Sequence, residues 1–192
     1  MSHFELHPDR FFDSDPVIRG YAREIFSSIK SLPIISPHGH VDPSLFSNTE
    51  ASFGNPVELF IKPDHYIIRM LYTNGIPLQQ LGIAAKGELL DYDPRRVWKL
   101  FCTNFYLFRA TPSGVWLTSS LSDVFGIEHK LSKETADFTY DILMEKLSST
   151  EFSPRTLFER FNIELLATTD SAADSLTHHQ SIQNSNWKGN IV

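Results

Sequence analysis

The chain has 192 residues, 41% of them hydrophobic and 21% charged, with a net charge of −6; this is enough for one domain with a sizeable core and an ordinary soluble balance. Its basic residues are scattered, Arg95-Arg96 being the only adjacent Lys/Arg pair, which excludes a phosphate-neutralising stripe and with it a nucleic-acid partner. Cys102 stands alone, Met1–Asp15 is polar, and no apolar run approaches membrane-spanning length; the expectation is a cytoplasmic protein without disulfides or a membrane partner.

Read in chain order, most elements are helices announced by a capping side chain just before a proline. Asp15-Pro16, Asn55-Pro56, Asp93-Pro94, Thr111-Pro112 and Ser153-Pro154 all suit the N-cap and N1 positions, where the N–H that proline lacks has no helical partner anyway. After Asp15, the residues Ile18, Tyr21, Ala22, Ile25, Phe26 and Ile29 fall at helical spacing. Leu32–Ser36 reads as a first strand. Helices are expected over Pro63–Tyr72, closed by Asn74-Gly75, and over Pro94–Phe108, Pro112–Phe125, Lys133–Leu147 and Pro154–Phe161. Their many aromatic residues suit helix-on-helix packing, with Cys102 a small buried side chain among them.

Ile163–Thr168 (IELLAT) reads as a strand buried on both faces, Ala172–Asn184 as a helix, and Asn190–Val192 as the opening of a third strand. This strand–helix–strand order is the start of a parallel βα series. Ile163, Leu165 and Leu166 are expected to lie half exposed at a poorly protected edge.

The short run ending at Ile35 leads into Pro37-His38-Gly39-His40-Val41-Asp42-Pro43. Side chains two apart on an extended segment share a face, so His38 and His40 can offer nitrogens to one ion, with Gly39 leaving room between them. A polar turn explains the same residues without a metal, and no third ligand stands nearby in the sequence.

Four ordered stretches resemble the uronate isomerase family, the glucuronate/galacturonate isomerases of the amidohydrolase superfamily. These are LPIISPHGHVDPSLF (32–46), KPDHYIIRMLYTNGI (62–76), FYLFRATPSGVWL (105–117) and LFERFNIELLATTDSAADSLTHHQSI (157–182). The resemblance implies an α/β fold, a partial (β/α)8 TIM barrel of the metal-dependent hydrolase kind with a large helical insertion after strand 1. A closed barrel needs about 250 residues, so the chain resembles the family's N-terminal part. Residues 1–44 would be the first helix and strand 1, 45–161 the helical insertion, and 162–192 strand 2, helix 2 and the start of strand 3.

The same resemblance assigns His38 and His40 to a divalent metal, completed in the family by an Asp on the last barrel strand. That ligand set suits Zn²⁺, with Mn²⁺ and Fe²⁺ as alternatives. His65 and Tyr66 match residues that contact the sugar acid and take part in catalysis, and Arg69 lies one turn past His65 on the substrate-binding side. The implied reaction interconverts D-glucuronate and D-fructuronate, or D-galacturonate and D-tagaturonate, in a homo-oligomeric enzyme acting on a hexuronate. A hydrolase of the same superfamily and a non-catalytic module remain open. Asp170 stands at the end of the second strand, where function and helix capping are equal readings. His178 and His179 are expected at the surface, and His3, His7 and His129 have no partner pattern.

Overall fold

Asp15, Asn55 and Asp93 each turn a side-chain oxygen onto two free N–H groups of a helix whose first residue is proline, and Thr111 and Ser153 do so onto one. The cap–proline reading therefore holds at every one of these sites. A computed structural model describes residues 6–86 and 90–192, so His3 lies outside the described residues. Contacts divide the chain into two units: Phe53–Ser149 together with Leu6, and His7–Ser52 together with Thr150–Val192.

The second of these units holds α1 (Pro16–Ile29), β1 (Ile34–Ser36) and α2 (Ser44–Ser47) from the early chain. The first unit follows with α3 (Pro56–Phe60), α4 (His65–Thr73), α5 (Pro94–Thr103), α6 (Pro112–Ser119) and α7 (Ala136–Leu147). The late chain then adds α8 (Pro154–Arg160), β2 (Ile163–Leu166) and α9 (Thr177–Gln183) to the strand-bearing unit.

The helical unit is a bundle around aromatic side chains. Val57, Phe60, Trp98, Phe101, Phe108 and Leu143 are among its buried residues, and the Phe60, Trp98 and Phe101 rings meet at centroid separations of 6.4 and 5.4 Å. Two expected helices end early. Pro94–Phe108 is α5 followed by a 3₁₀ turn at Phe105–Phe108, and Pro112–Phe125 is α6 followed by a π turn at Ser120–Val124. Gly114 shows why the chain turns tightly between them: a Cβ there would stand 2.0 Å from the Phe108 carbonyl oxygen. Burial pushes the Cys102 thiol well up, as suits a packing residue. His129 shares a 2.7 Å hydrogen bond with the buried Thr139 hydroxyl.

In the strand-bearing unit β1 and β2 run parallel, Ile34 opposite Ile163 and Ser36 opposite Leu166. Ile191 adds a parallel bridge on the other side of Leu166, through Leu166 N–H to Asn190 O at 3.0 Å and Thr168 N–H to Val192 O at 2.7 Å. The far edge of β2 is thus paired at Leu166 and Thr168, and Leu166 is buried, against the sequence expectation. Ile163 and Leu165 lie half-buried as expected, and Glu164 is exposed, so the strand is not buried on both faces. Phe46, Phe158, Leu166, Ile182 and Ile191 form the core on this sheet, with Ile163 and Trp187 packed against it. Trp187 stacks on Phe46 at 5.6 Å, and Arg155 clamps the Phe46 carbonyl through Nε and Nη2 at 2.9 and 2.6 Å. So α2 and α8, read from sequence as parts of the helical insertion, pack with the strands.

The uncovered apolar surface lies elsewhere in this unit. α1 has no buried residue; Val17, Ile18, Tyr21, Ile25, Phe26 and Ile29 on it, and Leu32, Ile34 and Ile35 on and before β1, are 48–64% exposed. No helix among the described residues is long and apolar enough to cross a membrane.

Candidate functional site

Beyond Ser36 the chain leaves the strand but stays tied to the end of β2. Ala167 N–H donates to Ser36 O at 2.8 Å, and the Thr169 hydroxyl donates to Gly39 O at 2.7 Å. Gly39 comes so close that a Cβ would stand 2.9 Å from Ala167 O, nearer than ordinary packing allows. Glycine between the histidines is therefore set by this approach to β2.

His38 and His40 meet in this loop. Their Nε2 atoms are 3.2 Å apart, with the rings nearly perpendicular at 88° and centroids 4.9 Å apart. Two imidazole nitrogens bound to one tetrahedral ion at about 2.0–2.1 Å would stand about 3.3–3.4 Å from each other, so the pair fits as two ligands of one ion. At this distance either ring can donate Nε2–H to the other. Both side chains are exposed. Among the described residues no group of three or more His, Cys, Asp or Glu side chains is arranged so as to hold one ion; the pair offers two imidazole nitrogens.

A cleft of about 280 Å³ adjoins the pair, lined among others by His40, Asp42, Asp170, Asp174, His178 and His179. Asp42 accepts the Ser44 N–H at 2.8 Å; the Ser44 hydroxyl and backbone N–H hold its carboxyl below the usual carboxylate range, with a smaller attraction from His178. His178 shares a 2.8 Å hydrogen bond with the Ser47 hydroxyl. Carboxylates and imidazoles around one opening suit recognition of hydroxyl groups.

His179 corrects the sequence reading. It is 8% exposed, its Nε2 lies 2.8 Å from Thr168 Oγ1, and its Nδ1 is buried with no hydrogen-bond partner. The expected helix over 172–184 begins only at Thr177, after Leu176 at φ 53°, and His179 shares its inward face with Ile182 at i+3. That spacing was the available signal. Asp170 does not cap α9, whose N-cap is Leu176; it accepts from the Thr168 hydroxyl at 2.5 Å.

His65, Tyr66 and Arg69 belong to the helical unit. The helix expected from Pro63 begins at His65, with Asp64 as its cap, accepting from Tyr66 and Ile67 N–H at 2.8 and 3.2 Å. Ile67 and Leu71 on α4 are fully buried, so His65, Tyr66 and Arg69 stand exposed on its other side. The His65 and Tyr66 rings are 4.1 Å apart, and the Arg69 guanidinium lies 6.0 Å over the Tyr66 ring. This aromatic and cationic surface suits an anionic, hydroxylated ligand.

These features place the chain among mostly helical α/β proteins whose polar residues gather at the carboxyl ends of parallel strands. Its relatives narrow that class. The family model for glucuronate isomerase matches residues 10–192, and the chain belongs to this family. It is 51% identical over 187 residues to a uronate isomerase of Phenylobacterium zucineum, covering 97% of this chain and 39% of that protein. A uronate isomerase of Brucella canis is 48% identical over 97% of the chain and 40% of its own length. The crystal structure of glucuronate isomerase from Caulobacter crescentus superposes with a TM-score of 0.95 at 46% identity, over 100% of this chain and 40% of that one. The uronate isomerase of Thermotoga maritima, at 24% identity and a TM-score of 0.83, shares the fold over 99% of this chain and 39% of its own. The chain thus spans about two fifths of the length of the relatives it matches.

Proposed function

We propose that this chain is the N-terminal part of a cytoplasmic, homo-oligomeric uronate isomerase built on a (β/α)8 barrel of the amidohydrolase superfamily. In this reading 1–44 and 162–192 supply barrel elements and 45–161 the insertion after strand 1. The observation that carries it is the convergence of the His38 and His40 nitrogens at the carboxyl end of β1, in a chain that matches the family from residue 10 to 192.

The reaction interconverts D-glucuronate and D-fructuronate, or D-galacturonate and D-tagaturonate. In the open sugar a base takes the C2 proton, the electron pair moves through C1 onto the carbonyl oxygen, and that oxygen is protonated to give a cis-enediol. Return of a proton to C1, with loss of the C2 hydroxyl proton, leaves the ketone at C2. His38 and His40 hold the divalent metal, Zn²⁺ or else Mn²⁺ or Fe²⁺. Bound there, it supplies Lewis acidity or a template for substrate oxygens. His65 relays a proton, Tyr66 donates a hydrogen bond to a substrate oxygen, and Arg69 orients them toward the hexuronate.

The test is an assay of D-fructuronate formation from D-glucuronate by a polypeptide of the relatives' length, beside the 192-residue chain and with a sugar lactone as competing substrate. The long polypeptide is expected to isomerise, and the short chain, with two imidazole donors in its His38–His40 pair, to be inert. Lactone hydrolysis without fructuronate would make the protein a metal-dependent hydrolase; no turnover of either would favour a non-catalytic module.

A further inference from the structure

We propose that Thr168, held by His179 and Asp170, is a positioning residue for the His38–His40 pair. The inference rests on reading that pair as metal ligands.

Thr168 Oγ1 lies 2.5 Å from Asp170 Oδ2, 2.8 Å from His179 Nε2 and 3.2 Å from Val192 O. A threonine hydroxyl has one proton and two acceptor lone pairs. That proton goes to the nearest acceptor, the Asp170 carboxylate, so the 2.8 Å contact must run from His179 Nε2–H to the Thr168 oxygen. This fixes one tautomer of the buried His179 ring and ties α9 to the end of β2. The carboxylate of Asp170 lies 3.7 Å from the same Nε2, favouring the donor at that position.

The residues on either side of Thr168 make the contacts that set the histidine loop. Ala167 O is the atom against which Gly39 packs, and Thr169 Oγ1 donates to Gly39 O at 2.7 Å. Backbone 167–169 is therefore a platform, with the loop on one side and the Thr168–His179 bond anchoring it to α9 on the other. His38 and His40 are exposed, so little packing around them fixes their spacing; a 3.2 Å separation of two nitrogens depends on where this platform holds residue 39. Partners that hydrogen-bond a metal ligand directly are worth about 10- to 100-fold in affinity, and Thr168, which acts one step further out through residue 39, is placed at the low end of that range.

The experiment is calorimetric titration of the 192-residue chain with Zn²⁺ for wild type, Thr168→Val, Thr168→Ser, His179→Ala and His40→Ala. Thr168→Val and His179→Ala are expected to weaken binding by about 10-fold or more. Thr168→Ser, which keeps the hydroxyl, is expected to stay within about twofold of wild type, where a role through packing alone would weaken both Thr168 variants. Two-dimensional NMR of the imidazole nitrogens should show His179 as the Nε2–H tautomer in wild type and Thr168→Ser. Should Thr168→Val not fold, His179→Ala carries the comparison. If His40→Ala loses Zn²⁺ while Thr168→Val and His179→Ala bind like wild type, the positioning role is overturned and the ligand reading stands. If His40→Ala also binds like wild type, both fail.

Discussion

His40→Ala is expected to remove Zn²⁺ binding by this chain, weakening it by more than about 100-fold, beyond the range for outer-shell partners. The His38–His40 pair offers two nitrogens 3.2 Å apart, and its strength comes from both reaching one ion. With one gone, a single exposed imidazole is left, no better than any surface histidine. The Asp42 carboxylate does not replace it: it accepts the Ser44 N–H at 2.8 Å. Calorimetric titration of the two proteins with Zn²⁺ reads the difference. Equal binding by wild type and His40→Ala would mean that the ion sits elsewhere.

The second large effect concerns assembly. Nine apolar side chains on α1, the turn after it and β1 are 48–64% exposed, and among the described residues β1 pairs only with β2. Ile34 and Ile35 point to opposite faces of the strand, so neither face of β1 is covered. Burying each such side chain is worth roughly 1.5–3 kcal/mol, and a patch of this size on one protein marks an interaction surface. The 192-residue chain is therefore expected to pair with a second copy through α1 and β1, whereas in a polypeptide of the relatives' length the added residues are expected to cover the same face. Light scattering over a dilution series should give at least twice the monomer mass at micromolar concentration, and the Ile25→Glu, Ile35→Glu double variant should return it to monomer. A wild-type chain that stays monomeric throughout would remove the argument.

Much of the local structure was legible because its causes are local. A capping oxygen before proline fixes a helix start through bonds spanning two or three residues, and Asp15, Asn55, Asp93, Thr111 and Ser153 all behaved so. His38 and His40 share a face because strand geometry has period two. Legibility failed where distant contacts decide. Nothing near Gly39 announces the Ala167 carbonyl, and nothing near Ala172 says that α9 waits until Thr177. The burial of His179 depends on Thr168, eleven positions earlier, so a rule about adjacent helical residues put it at the surface. Half exposure was expected of Ile163, Leu165 and Leu166; it holds for Ile163 and Leu165, whereas Leu166, beside which Asn190–Val192 pairs, is buried, and the larger uncovered surface lies on α1 and β1.

The proposed role of the histidine pair at the end of β1 in isomerising a hexuronate is tested most directly by fructuronate formation from D-glucuronate in a polypeptide of the relatives' length, compared with its His38→Ala variant under saturating Zn²⁺. Turnover by the parent is expected, with a loss of at least about a thousandfold in kcat/KM, or about 4 kcal/mol of transition-state stabilisation, in the variant. Undiminished turnover by the variant would contradict that role.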